Sequence, residues 1–154
     1  MSSTFIYILT NYTKLVILFA MNRYNTLNHE KYRIQYHIIF STKYRKKCLE
    51  PVKNDLLESM KKAESLQNKW NIETMETDKD HIHFLINASP VCMPADIIHS
   101  LKQVSTYDMW EKNGDYMKKY YWSGKHYLWT RGYFISTIGD VSDKIVKNYI
   151  EIQG

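Results

Sequence analysis

Cysteine is scarce: Cys48 and Cys92 are the only two in 154 residues, and neither stands in a CxxC pair. That excludes a disulfide framework, leaves two incidental reduced thiols, and makes the cytoplasm the expected setting. Long apolar runs are missing too. The pieces Phe5-Ile6-Tyr7-Ile8-Leu9 and Leu15-Val16-Ile17-Leu18-Phe19-Ala20 are interrupted by Thr10-Asn11-Tyr12-Thr13-Lys14. They fall short of the about 20 apolar residues a membrane span needs, and lack the charged start and small-residue cleavage site of a signal peptide. No membrane partner is expected. Repeats and low-complexity tracts are absent as well, so the chain reads as one domain with one core, long enough to bury roughly two-thirds of its unfolded surface.

What is present leans basic and aromatic. The net charge of +5, pI near 9, thirteen tyrosines and four tryptophans suit a polyanion whose unpaired bases stack on rings, although most of those rings belong to the core. From about Arg33 to Thr42, Ile34, Tyr36, Ile38 and Phe40 fall on one face of a strand. The basic turn Lys43-Tyr44-Arg45-Lys46-Lys47 follows, fitting a solvated loop or a contact to a sugar-phosphate backbone equally well. Pro51 opens a helix reaching about Lys69, with Val52, Leu56, Met60 and Ala63, flanked by Leu57 and Leu66, as its apolar stripe. Trp70 to Thr77 and His81 to Asn87 read as hairpin-paired strands. Ile97, Ile98, Leu101 and Val104 place a second helix from about Ala95 to Trp110, with His99 and Lys102 toward its other side. Residues 111–128 read as an irregular connection crowded with Tyr116, Tyr120, Tyr121, Trp122 and Tyr127. Tyr133 to Ile138 is the fourth strand, and Gly139 leads to a last helix from Val141 to about Ile152. The order β-α-β-β-α-β-α predicts an α+β fold, an antiparallel sheet with helices on one side as in split ferredoxin-like folds.

Two pairs of side chains carry candidate chemistry. His81 and His83 lie two apart on a strand and therefore project to one side, where two imidazoles can share a divalent metal; taken alone, an HxH is more often an exposed or hydrogen-bonded histidine pair on an ordinary strand. Tyr149 and Gln153 lie four apart on the last helix and share a face. A deprotonated phenol attacks phosphorus and an amide carbonyl ligates a hard cation, whereas a packing aromatic and a solvated terminal glutamine are the plainer alternatives.

In order, Tyr36-His37-Ile38-Ile39-Phe40-Ser41-Thr42-Lys43-Tyr44-Arg45-Lys46, then Met75-Glu76-Thr77-Asp78-Lys79-Asp80 before His81-Ile82-His83, then Trp129-Thr130-Arg131-Gly132-Tyr133-Phe134 and Tyr149-Ile150-Glu151-Ile152-Gln153 resemble the HUH single-tyrosine transposases of single-strand insertion sequences. The likeness spans about residues 28–153. It implies Tyr149 as the catalytic nucleophile, His81, His83 and Gln153 as ligands of Mg²⁺ or Mn²⁺, and a 5′-phosphotyrosine intermediate. It also implies single-stranded DNA hairpins as substrate and a homodimer whose sites join the histidines of one subunit to the tyrosine helix of the other. Lys43, Arg45, Lys46, Lys102 and Arg131 are the candidate DNA contacts. The domain is expected over 28–154, with 1–27 an extension and Met21 a possible working start. Because the chain stops at Gly154, directly after Gln153, fraying of that end would weaken the ligand. Other readings are a palindrome-processing relative, a non-catalytic nucleic-acid-binding module of the same fold, and a metal-dependent hydrolase that uses water in place of Tyr149.

Overall fold

The computed structural model describes residues 25–27 and 30–138. Met21 and the rest of the expected extension before Asn25, the Gly139 turn, Tyr149 and Gln153 lie outside them. The chain divides into two compact units at Arg33/Ile34. In the first, β1 (Asn25–Leu27) and β2 (Glu30–Tyr32) form a short antiparallel hairpin with Thr26 opposite Lys31.

The second unit is a four-stranded sheet of β3 (Ile34–Ser41), β4 (Trp70–Thr77), β5 (His81–Ala88) and β6 (Phe134–Thr137), in the order β4-β5-β3-β6. Every neighbouring pair is antiparallel. The first and third strands in sequence thus lie at the centre and the two connections cross over as helices, which is the ferredoxin-like arrangement. Alternation along the central strands decides which face is dry. Ile38 and Phe40 of β3 and Ile82, Phe84, Ile86 and Ala88 of β5 join one buried cluster with the two helices. His37 and Ile39, with His81 and His83, point to the other face.

Helix α1 (Lys53–Ser65) begins after a single 3₁₀ turn over Glu50–Val52 that holds Pro51 at its start. Its predicted stripe is buried at Val52, Leu56, Met60 and Ala63, but Leu66 lies past the last turn and is exposed. The Gln67 side chain replaces a further turn: its amide donates to the Glu64 and Trp70 carbonyls while its oxygen accepts from the Trp70 N–H. Helix α2 (Pro94–Met117) continues seven residues beyond the expected end at Trp110, correcting the reading of residues 111–117 as irregular. The stripe is broken there by Asn113, whose backbone leaves helical geometry (φ −126°, ψ 27°) while its amide donates to Asp55 Oδ2 of α1 at 2.9 Å. That contact and the buried Met117 reward the continuation, which solvent-facing periodicity at Glu111, Lys112 and Asp115 does not announce. No helix among the described residues is long and apolar enough to cross a membrane.

Candidate functional site

The histidines occupy the end of β5 that adjoins the turn after β3: His81 pairs with Ser41 and His83 with Ile39. Their rings lie 5.0 Å apart between centroids. His81 Nδ1 is 2.8 Å from Asp80 Oδ1, and the other carboxylate oxygen of Asp80 takes the Arg45 guanidinium at 2.9 Å. Arg45 in turn donates through Nη1 to Ser41 Oγ at 2.9 Å. Burial pushes the Asp80 carboxyl up, but the hydrogen bond from His81 and the charge of Arg45 outweigh it and hold the group below the usual carboxylate range. An ionised Asp80 accepts the Nδ1 proton of His81, which leaves the lone pair of a neutral ring on Nε2.

His83 is buried at 5% exposure, and its Nδ1 lies 3.3 Å from His37 Nε2 with the two rings stacked at 15°. Burial, then the charges of His81 and His37, lower its pKa to about 4 against a smaller upward pull from Asp78. His83 is therefore a neutral imidazole at physiological pH. Burial lowers His37 too, and Phe134 of β6 packs its edge against the His37 ring.

His37 is the member of this cluster that the sequence did not reveal. Its signal was the same period of two: it lies on the opposite face from Tyr36, Ile38 and Phe40. Only the register, which sets His37 opposite Leu85 and diagonal to His83, brings it to the pair. Among the described residues no three His, Cys, Asp or Glu side chains are arranged to hold a metal ion, so a ligand set built on His81 and His83 needs a donor of another kind or from elsewhere.

The candidate basic residues fall into two groups. Lys43, Arg45 and Lys46 share the turn after β3, with Lys43 Nζ 5.0 Å from the Tyr44 ring and 5.4 Å from that of Tyr127, and Lys46 Nζ 5.7 Å from that of Trp122. Arg45 differs from its neighbours in being tied to Asp80 and so to His81. Lys102 and Arg131 line a second, open cavity of about 610 Å³ with His99, His126 and Tyr133. Lys102 has a structural task the sequence did not show: its ammonium donates to the carbonyls of Thr130, Arg131 and Gly132 at 2.9, 3.2 and 2.9 Å. That segment is further zipped to the end of β3, with Lys43 N–H donating to the Leu128 carbonyl and Thr130 N–H to that of Ser41.

This sheet has counterparts among known transposases. Residues 30–153 match the family described as "Transposase IS200 like". The chain belongs to that family, and its activity is the cleavage and transfer of DNA strands. Among similar proteins, the ISDra2 transposase TnpA of Deinococcus radiodurans is 31% identical over 122 residues, covering 79% of this chain and 85% of the relative. The transposase for insertion sequence element IS200 of Salmonella typhimurium is 30% identical over 130 residues, covering 83% and 82%. A crystal structure assigned as a Deinococcus radiodurans transposase superposes with a TM-score of 0.67 at 25% identity, over 84% of this chain and 97% of that one. A REP-associated tyrosine transposase bound to a REP hairpin shares the fold at a TM-score of 0.57 and 13% identity, over 82% and 72%.

Proposed function

We propose that the chain cuts and rejoins single-stranded DNA at the ends of an insertion sequence, with Tyr149 as nucleophile and 28–154 as the catalytic domain. The observation that carries this reading is the buttressed imidazole pair at the end of β5: Asp80 holds His81 through Nδ1, and the buried, neutral His83 sits against His37. Those nitrogens suit a divalent cation, and Gln153 would complete the set with a neutral oxygen. Mg²⁺ or Mn²⁺ is the expected ion, because a carbonyl ligand and a phosphate substrate favour hard metals. When bound it withdraws charge from the scissile phosphate. For His83 to ligate through Nε2 its Nδ1 must carry the proton, so His37 Nε2 acts as acceptor and fixes that tautomer.

A phenol ordinarily has a pKa near 10, so Tyr149 would need help to ionise at neutral pH. Its oxygen forms a bond to phosphorus as the bond from phosphorus to the 3′ oxygen breaks. The phenolic proton departs, and the released 3′ oxygen takes one up. The product is a 5′-phosphotyrosine and a free 3′-hydroxyl, and attack by another 3′-hydroxyl reverses the step without a nucleotide cofactor. DNA hairpins near the element ends are the proposed recognition target, in keeping with the fold shared with a hairpin-bound transposase. The proposed assembly is a homodimer in which each site takes histidines from one subunit and Tyr149 from the other.

The test is a Tyr149→Phe variant incubated with labelled single-stranded DNA and run under denaturing electrophoresis. The unmutated protein should become covalently linked in the presence of Mn²⁺ and lose linkage in EDTA, while the variant binds DNA within a few-fold and forms no adduct. An adduct on the variant would assign the nucleophile elsewhere. Cleavage without any adduct in the unmutated protein would favour water as nucleophile, and binding without cleavage a non-catalytic module.

A further inference from the structure

Beside the histidine end of the sheet lies a cleft of about 340 Å³ whose lining includes Tyr44, Lys46, Tyr120, Tyr121, Trp122 and Tyr127. It is small for a ligand pocket, and five of its seven lining residues are aromatic. The Trp122 ring is 79% exposed and Tyr44 68%, far outside what a core aromatic shows. Tyr121 makes a fixed floor, buried, with its hydroxyl directed at the carbonyls of Lys43 and Leu128 and its ionisation suppressed by burial. Cations stand over the rings: Lys46 over Trp122, and Lys43 over both Tyr44 and Tyr127.

The backbone beneath Tyr44 is strained to present it. Tyr44 (φ 60°) and Arg45 (φ 53°) both adopt the left-handed conformation that bulky L-residues avoid. Such a conformation persists only where the surroundings over-determine it, and those surroundings are the ion pair of Arg45 with Asp80, the Arg45 bond to Ser41 and the Lys43 bond to the Leu128 carbonyl. Three residues of chain, at most about 11 Å, separate Tyr44 from Ser41, which pairs with His81. Arg45 thus holds one end of the histidine site and one wall of the cleft.

We infer that this cleft binds an unpaired nucleobase of single-stranded DNA, stacked on Trp122 and Tyr44 with its flanking phosphates against Lys43 and Lys46. The inference rests on the DNA-cleaving reading above and adds to it a recognition site next to the histidines. Charge complementarity selects the occupant: an aromatic cleft rimmed by ammonium groups, on a chain of net charge +5, fits a flat base carrying a phosphate on each side.

The experiment uses tryptophan emission, because Trp70, Trp110 and Trp129 are buried and acrylamide reaches only Trp122 readily. Saturating a ten-nucleotide oligothymidylate should protect Trp122 from acrylamide in full-length protein. Trp122→Ala should weaken binding of that strand about tenfold, the scale of one stacked base, and Trp122→Phe should restore most of it. A strand of ten abasic sites should bind the unmutated protein no better than oligothymidylate binds Trp122→Ala. Tyr44→Ala gives a second, independent loss, and an unchanged thermal midpoint shows that neither variant acts through unfolding. A Trp122 that stays accessible at saturation, an abasic strand that binds equally well, tighter binding of oligouridylate, or no binding of oligothymidylate would each overturn the inference. Adduct formation through Tyr149 is read separately, so the cleft can fail while the chemistry stands, and the reverse.

Discussion

Asp80 is the single side chain on which the histidine pair depends most visibly. It accepts from His81 Nδ1 and neutralises Arg45 at once, so it sets both the tautomer of a proposed ligand and the shape of the turn after β3. Asp80→Asn keeps the volume but removes the charge, and an amide can present its NH₂ to the ring in place of an oxygen. Mn²⁺ affinity measured by calorimetry should fall about ten- to a hundredfold, the usual cost of losing a carboxylate behind a metal-bound histidine. Unchanged affinity would remove Asp80 from the site. His83 gives a second expectation, for stability without metal. Its folded pKa of about 4 lies below the ordinary 6.5, so between those values the unfolded chain binds the extra proton. Stability from this group is complete above about pH 6.5 and is lost as pH falls toward 4. The groups around it are His37 on β3, His81 at the start of β5, Asp78 in the turn between β4 and β5, and Glu76 opposite it on β4. Unfolding midpoints in EDTA should fall across that window and fall less in His83→Gln. The HxH pair was legible because a period of two is a local property, whereas His37 was not, because only strand register makes it a neighbour.

At the scale of elements, strand and helix order was readable throughout residues 34–110, since alternation in β3 and β5 and the stripe of α1 are strong periodic signals. The seven added residues of α2 were hidden because their anchors are tertiary: Asn113 on Asp55, and the Tyr116 hydroxyl donating to the Cys48 carbonyl. So was the role of the Trp129-Thr130-Arg131 segment as a brace against β3. Its hinge is Ser105 in α2, fully buried, which donates to the Leu101 carbonyl and accepts from the Trp129 indole at 2.9 Å, while the Trp129 ring packs edge-on against Phe40. Ser105→Ala strands the indole N–H in the core and should cost about 1–3 kcal/mol in denaturant unfolding. A loss near zero would mean that the indole finds another acceptor. Lys102 belongs to the same brace. Its three donors go to three carbonyls and burial depresses its pKa, so Lys102→Met should lower the thermal midpoint yet leave the salt dependence of DNA binding unchanged. A phosphate contact at Lys102 would instead flatten that dependence by about one ion.

For the whole molecule the question is whether one chain can build a complete site. His81 and His83 sit on a central strand of the sheet, while Tyr149 and Gln153 lie more than sixty residues further along the chain, so the two halves of the proposed chemistry are far apart in sequence. If sites are shared, a Tyr149→Phe subunit paired with a His81→Ala/His83→Ala subunit gives one site with intact histidines, Tyr149 and Gln153, and one site lacking both. If each site is built within a chain, every site in the mixture lacks either its histidines or its nucleophile. Co-expressing the two variants with different tags and purifying the doubly tagged species isolates the relevant dimer. Adduct formation on single-stranded hairpin DNA should then recover to roughly half that of the unmutated dimer, because one of two equivalent sites is rebuilt. The linked DNA must sit on the chain that lacks histidines, since only that chain carries Tyr149. Adduct on neither chain of a folded, DNA-binding heterodimer would sink the shared site while leaving the assignments of His81, His83 and Tyr149 to be decided by the single variants.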